Sequence, residues 1–230
     1  MTFCYNISMP LTILTSTRTD GSMKSTNPDE QSQIDQNRKI FLEKNGVSPN
    51  DTTLVRLDYE TNDYCRYICV DDTDKDNGIV SESTILSDAL IVANPNHALL
   101  LPLADCIGAV IYDQNTHILM LAHLGRHNLE QFGGTKCIEY LVNQFNIKPD
   151  QLTVWLSPAA GKSTYPLFAF NNRGLHEVAI EQLIAAGIDA DKITISPIDS
   201  STDDKYYSHS NFLHGKQNDD GRFAVIAYLN

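Results

Sequence analysis

The most continuous apolar stretch of the chain runs over residues 99–124, LLLPLADCIGAVIYDQNTHILMLAHL. Within it, IGAVIYD and HILMLAHL flank the polar pair Gln114-Asn115, a pattern that predicts a β-hairpin. A two-residue loop pairs Asp113 with Thr116 and Tyr112 with His117, and continuing the ladder sets Cys106 opposite His123. Directly facing residues share one sheet face, with Cβ atoms about 4.5–5.5 Å apart. Gly108 is the place where a bulge would shift this register. Asp105 points to the opposite face.

The rest of the chain shows both helical and strand periods. LTILTSTR (11–18) is a strand that leaves Arg18 at its end, followed by the polar loop TDGSMKSTNPDEQS. QIDQNRKIFLEKNG (33–46) is a helix with Ile34, Ile40 and Phe41 in one stripe, Gly46 as its stop and Asn37-Arg38 on its solvated face. TTLVRLDY and YCRYICV are strands, and ALIVANPNHALLLPLA gives two strands around a turn. Helices follow at KCIEYLVNQF (136–145) and GLHEVAIEQLIAAG (174–187), and strands at QLTVWLS, KITISPI and RFAVIAYL. Gly125 favours an exit from strand to loop, and SHSNFLHG (208–215) is a loop. No repeat or linker divides the sequence. The expectation is one α+β domain over residues 1–230, with mixed β-sheets flanked by helices.

Composition narrows the class. The chain is 42% apolar and 20% charged, ordinary for a globular protein. Its net charge of −12 without a basic stripe excludes nucleic acid and anionic membranes as expected partners. Five scattered cysteines suit a reducing compartment rather than a disulfide framework. The first 21 residues lack the basic and apolar regions of a signal peptide, and no stretch has the length of a spanning helix. A cytoplasmic, soluble protein is expected.

Two chemistries suit Cys106 and His123 beside the plain alternative of buried, hydrogen-bonded residues. They can supply two zinc ligands, with a third to be found, or form a nucleophile–base dyad. SPAAGKST (157–164) fails as a phosphate loop because Leu156 stands where the first glycine belongs and Pro166 breaks the following helix. Its turn can still line a pocket. Cys65 and Cys69 lie ~13 Å apart on one strand face, too far to share a metal, and are expected in the core. His209 and the other histidine of SHSNFLHG are expected at the surface, and the acidic runs DDTDKD and STDDK are solvated turns without calcium-loop spacing.

Taken in order, several segments resemble the laccase-domain or "polyphenol oxidase" family, which includes peptidoglycan-editing factors and purine nucleoside phosphorylases. STRTDGS resembles its T-R-x-G-G-x-S turn, DQNRKIFLEKNGV its N-R helix, and SDALIV with LADCIGAVIYD its D-A-L-x-T and A-D-C strands. LAHLGRHN resembles the H-A-G-W-R-G element, LSPAAGKSTY the G-P-x-I-G-x-x-x-Y turn, and SHSNFLHGKQNDDGRFAVIAYL the closing strand. The resemblance implies a zinc held by His, Cys and His, of which Cys106 and His123 match two. At the first histidine this chain has Tyr59, with Asp58, His127 or His209 as substitute donors. Arg126, His127 and Asn128 replace Trp, Arg and Gly of the family element; Asp199-Ser200 replaces a late Cys-Thr, and Ser210 follows His209 in place of arginine.

The resemblance implies phosphorolysis of a purine nucleoside, inosine or adenosine, with possible adenosine deamination. Small-molecule nucleoside and phosphate are then the partners, with Cys106, His123 and Arg38 as catalytic residues. Arg18, Asn37, Arg38, His127 and His209 would bind substrate. The rival readings are a metal-free non-catalytic binding or peptidoglycan-editing relative, and a cysteine hydrolase using Cys106 with His123. Copper-dependent laccase chemistry needs many histidines in paired motifs, which seven scattered ones do not supply.

Overall fold

A computed structural model describes residues 11–25 and 27–230. The first ten residues of the segment weighed as a signal peptide lie outside these residues, and Cys4 with them; among the described residues Cys65, Cys69, Cys106 and Cys137 are free thiols. The ten strands are β1 (Leu11–Thr15), β2 (Thr52–Leu54), β3 (Tyr67–Cys69), β4 (Ala89–Val92), β5 (Ala98–Leu103), β6 (Ile107–Asp113), β7 (Ile118–Leu124), β8 (Leu152–Leu156), β9 (Ile193–Ile195) and β10 (Phe223–Leu229). The helices are α1 (Gln31–Lys44), α2 (Arg126–Glu130), α3 (Gly133–Phe145), α4 (Leu175–Ala185) and α5 (His209–Leu213).

The strands form two mixed sheets, in the orders β1-β10-β5-β2 and β3-β4-β7-β6-β8-β9. Side-chain alternation explains the continuous apolar runs, because the central strands are buried on both faces. In β6, Ala109 and Ile111 pack toward α3 and α4, while Val110 and Tyr112 join Leu99, Leu101 and Val225 between the sheets. In β5, Ala98 and Leu100 turn outward to meet Phe41 and Leu42 of α1. The result is four layers, helix–sheet–sheet–helices. Each fully buried Leu or Ile contributes about 1.5–3 kcal/mol to holding them together. The α+β expectation of mixed sheets flanked by helices is met.

Three local expectations are corrected. The hairpin loop spans four residues, not two, and Asp113 pairs with Ile118. The Asp113 carboxylate explains this: it accepts hydrogen bonds from the backbone N–H of Asn115 at 3.1 Å and of Thr116 at 3.2 Å, and His117 turns left-handed at φ 58°. His123 therefore faces Gly108 rather than Cys106. Gly108 marks no bulge. A Cβ there would come within 2.9 Å of Leu103 in the facing sheet, so the glycine lets the sheets close. Secondly, the segments after Gly125 and around His209 are short helices, α2 and α5. Their starts are fixed locally by the Asn128 side chain accepting from Gly125 N–H and the Ser208 hydroxyl accepting from Asn211 N–H. Thirdly, Cys69 is exposed at the end of an edge strand rather than in the core.

Candidate functional site

The shift in register moves the hairpin by two positions, which preserves the face of every side chain. Cys106 and His123 thus remain on one face as diagonal neighbours, and Gly125 lies between them. A Cβ on Gly125 would stand 2.8 Å from Cys106 Sγ and 2.8 Å from His123 Cε1, so both groups occupy the space a side chain would take. Asp105 sets up this approach. Its φ of 74° is costly for a non-glycine residue and turns the chain sharply before β6. Its carboxylate is buried, and Oδ2 accepts from the backbone N–H of Ser210 at 2.7 Å, which fastens the start of α5 to the site.

Both reactive groups are neutral near pH 7. Burial pushes the Cys106 thiol up to about 12, assisted by Asp105. Burial also brings His123 down to about 3, with Lys24 adding to the effect. A nucleophilic dyad needs the opposite, a thiol lowered by a cationic imidazole. The Cys106–His123 hydrolase reading therefore loses its electrostatic basis.

The pair opens onto a cleft of about 400 Å³, and Tyr59, at the position where the resemblance implies a ligand histidine, lines the same cleft. Tyr59 is 56% exposed, yet desolvation at the wall and the adjacent thiol raise its phenol above the ordinary range. A neutral phenol is a poor zinc donor beside one thiol and one imidazole. The proposed substitutes are engaged otherwise. Asp58 pairs with Arg66 at 3.2 Å, His127 stacks on Tyr64 with centroids 4.6 Å apart, and His209 Nδ1 lies 2.7 Å from Asp220. Among the described residues no group of three His, Cys, Asp or Glu side chains is arranged to hold a metal ion. These donors do not fit a three-ligand zinc site.

Of the residues expected to bind substrate, His127 and His209 line the cleft and Arg18, Asn37 and Arg38 do not. Arg18 pairs with Asp219 at 2.8 Å and covers the Tyr207 ring. The Asn37 amide donates to the Ser22 carbonyl at 2.9 Å. Arg38, only 4% exposed, donates to the carbonyls of Met23 at 2.8 Å and Gly78 at 3.0 Å. It lines a separate polar cavity with Arg56 and Lys24, and the solvated face expected for it is instead a buried anchor of the loop before α1.

Lys24 and Tyr64 build the cleft without a functional signal in the sequence, and Arg126, Tyr165 and Arg222 enter there only as members of segments that resemble the family. Lys24, Arg126 and Arg222 bring positive charge to the cleft, and Tyr64 and Tyr165 add aromatic wall. Asp220 is held by Arg222 at 2.6 Å as well as by His209. Lys24 lies 5.8 Å from the Tyr59 ring centroid. Burial and the like charges of Arg222, Arg38 and Arg56 lower its pKa, and among the described residues no carboxylate pairs with its amine. Arg222 lies in the segment that resembles the family's closing strand, and Lys24 sits in a loop without a motif.

Solved structures of similar fold include the Bacillus licheniformis hypothetical protein YfiH (TM-score 0.84, 19% identity, 96% of this chain and 93% of that one). YlmD from Geobacillus stearothermophilus follows (TM-score 0.81, 16% identity, 97% and 93%), with a Neisseria meningitidis protein of the DUF152 family (TM-score 0.72, 15% identity, 100% and 98%). A search of curated proteins gave no match. No helix among the described residues is long and apolar enough to cross a membrane. The family model described as multi-copper polyphenol oxidoreductase laccase matches residues 16–169, the span that carries the Cys106/Gly125/His123 arrangement, and the chain belongs to that family.

Proposed function

We propose that the protein binds a purine nucleoside together with phosphate and catalyses phosphorolysis at the Cys106/His123 cleft. The observation that carries this reading is Lys24: a half-buried amine among three guanidinium groups, with no carboxylate partner among the described residues, at a cleft in a chain of net charge −12. Asp220 balances Arg222 in this cleft, but the Lys24 amine has no carboxylate of its own among the described residues, and phosphate supplies the anion. The aromatic walls formed by Tyr59, Tyr165 and the Tyr64–His127 stack suit a planar base.

In the reaction, a phosphate oxygen forms a bond to the ribose anomeric carbon while the bond to the base nitrogen breaks, and the electron pair leaves with the base. Lys24 and Arg222 would hold the phosphate against its own repulsion from the developing negative charge on the base. The neutral Cys106 thiol and Tyr59 phenol are hydrogen-bond donors for that base, and neither needs to ionise. Adenosine deamination would need a metal-activated water, for which Cys106 and His123 lack a third ligand among the described residues.

The missing third ligand favours a second reading, a binding relative without turnover. Incubating the protein with inosine, with and without phosphate and zinc, separates the two. Phosphate-dependent hypoxanthine release that falls at least tenfold in Lys24→Gln supports phosphorolysis. Inosine binding by calorimetry without release under any of these conditions leaves the binding reading.

A further inference from the structure

Beside the central cleft lies a second hollow of about 550 Å³, and Arg126 and Tyr165 are common to both. His214, Lys216 and Phe168, the last 75% exposed, line it as well. None of its lining residues is acidic, although the chain as a whole carries a large excess of acid. We infer that this hollow receives a phosphate group attached to the nucleoside, so that the ligand is a nucleotide. The inference rests on the nucleoside reading of the central cleft and names its substrate class.

The cations of this hollow are held by the same framework that builds the site. Asp105, next to Cys106, accepts from Ser210 N–H and so fixes the first turn of α5. At the other end of that helix, His214 Nδ1 lies 2.7 Å from the Ser210 carbonyl, a bond in which the ring donates and leaves Nε2 to face a partner. Gly215 then takes φ 68°, and the N–H of Lys216 donates back to the Asn211 carbonyl at 2.8 Å. The Lys216 backbone is therefore fixed while its side chain stays exposed. Arg126, shared with the central cleft, opens α2 directly after Gly125. A base among the tyrosines, with its ribose beside Tyr165, would direct a 5′-phosphate toward Arg126, His214 and Lys216. The phosphate used as co-substrate would remain with Lys24 and Arg222.

Calorimetry with inosine and inosine 5′-monophosphate, on the full chain at low ionic strength, tests this. The nucleotide is expected to bind about tenfold more tightly than the nucleoside, the size of one good charge-assisted contact. Lys216→Glu should remove that preference while leaving nucleoside affinity within about twofold, and Lys216→Arg should retain it. Thermal melts of both variants report whether they fold. Equal affinities in the unaltered protein, a preference that survives Lys216→Glu, or failure of both compounds to bind would overturn the inference. A charge-sensitive nucleotide preference without phosphate-dependent base release would uphold it and refute the reaction proposed above.

Discussion

Gly125 offers the sharpest test of how the site is put together. Its backbone, φ −106° and ψ −174°, is open to any residue, so Gly125→Ala introduces a methyl group without backbone strain. That methyl would lie 2.8 Å from Cys106 Sγ and 2.8 Å from His123 Cε1. Comfortable contacts between such atoms are roughly 3.5–4.0 Å, so each neighbour must retreat by about 1 Å. His123 does not retreat freely: it is buried, and its backbone N–H is tied to the Asp88 carbonyl at 2.8 Å, while half-buried Cys106 packs against the core between the sheets. Overpacking of this kind costs about 1–3 kcal/mol. Urea unfolding monitored by the lone tryptophan, Trp155, would read the loss as a lower midpoint with an unchanged slope. The discriminating variant is Gly125→Ala combined with Cys106→Ala, in which the new methyl moves into the space left by sulfur. A coupling of about 1 kcal/mol or more between the two substitutions is expected. Additive losses, or a Gly125→Ala variant as stable as the parent, would show that sulfur and imidazole do not meet at this glycine.

Three further outcomes follow from the same contacts. The folded state holds His123 neutral at a pKa near 3 against about 6.5 when unfolded, so the unfolded chain binds the extra proton. Its contribution is complete above pH 6.5 and is lost as pH falls toward 3; His97 and His176, also lowered by burial, add to the same slope. His123→Gln should flatten the fall in urea midpoint between pH 6.5 and 4, and an unchanged pH profile would contradict the assignment. Tyr59→His completes a His–Cys–His donor set. Dialysed against zinc, that variant should retain close to one equivalent by elemental analysis and melt at a higher temperature, whereas the parent retains much less; equal zinc content in both would be the adverse result. Arg38→Met leaves the Met23 and Gly78 carbonyls without their donor and should cost about 2–4 kcal/mol, with inosine affinity changed less than threefold. A large affinity loss in a stable variant would return Arg38 to the binding site.

Much of the fold was legible because the period of burial is written in the side chains. The two-sided apolar runs of β4 to β7 match strands covered on both faces, and Gly46 and Gly187, at φ 75° and 98°, end their helices as expected. The Cys106–His123 association was legible for a subtler reason. The assumed loop was wrong, but the error was an even number of positions, and sheet parity survives an even slip. An odd slip would have put the thiol and imidazole on opposite faces. The length of that turn could not be read from Gln114-Asn115, because Asp113, counted as the last strand residue, also caps the loop. Arg38 departs from the solvated position expected for it for a related reason. A helical arginine beside polar neighbours is normally solvated, and only the tertiary path of residues 22–24 and 78 brings backbone carbonyls onto it.

The cations of the cleft expose the limit of motif reasoning most clearly. Lys24, Arg126 and Arg222 lie far apart in sequence and converge because a loop, a helix start and the entry to β10 meet at one edge of the sheets. Two cleft positions depart from the family pattern that the sequence resembles: Tyr59 stands where that pattern implies a ligand histidine, and Arg126 where it implies tryptophan. The first replaces a potential metal ligand by a neutral hydrogen-bond donor, and the second exchanges an apolar wall for a fixed positive charge. Both changes act in one direction. They shift the means of binding an electron-rich ligand from a coordinated ion to charged and hydrogen-bonding side chains. An anion held by arginine and lysine gains affinity from Coulomb attraction that salt weakens, whereas a metal-bound ligand gains it from coordination that chelators abolish. Ligand affinity that declines steeply with added salt and is indifferent to chelator would therefore place this chain on the side-chain route. The opposite pattern would restore the metal to the centre of its chemistry.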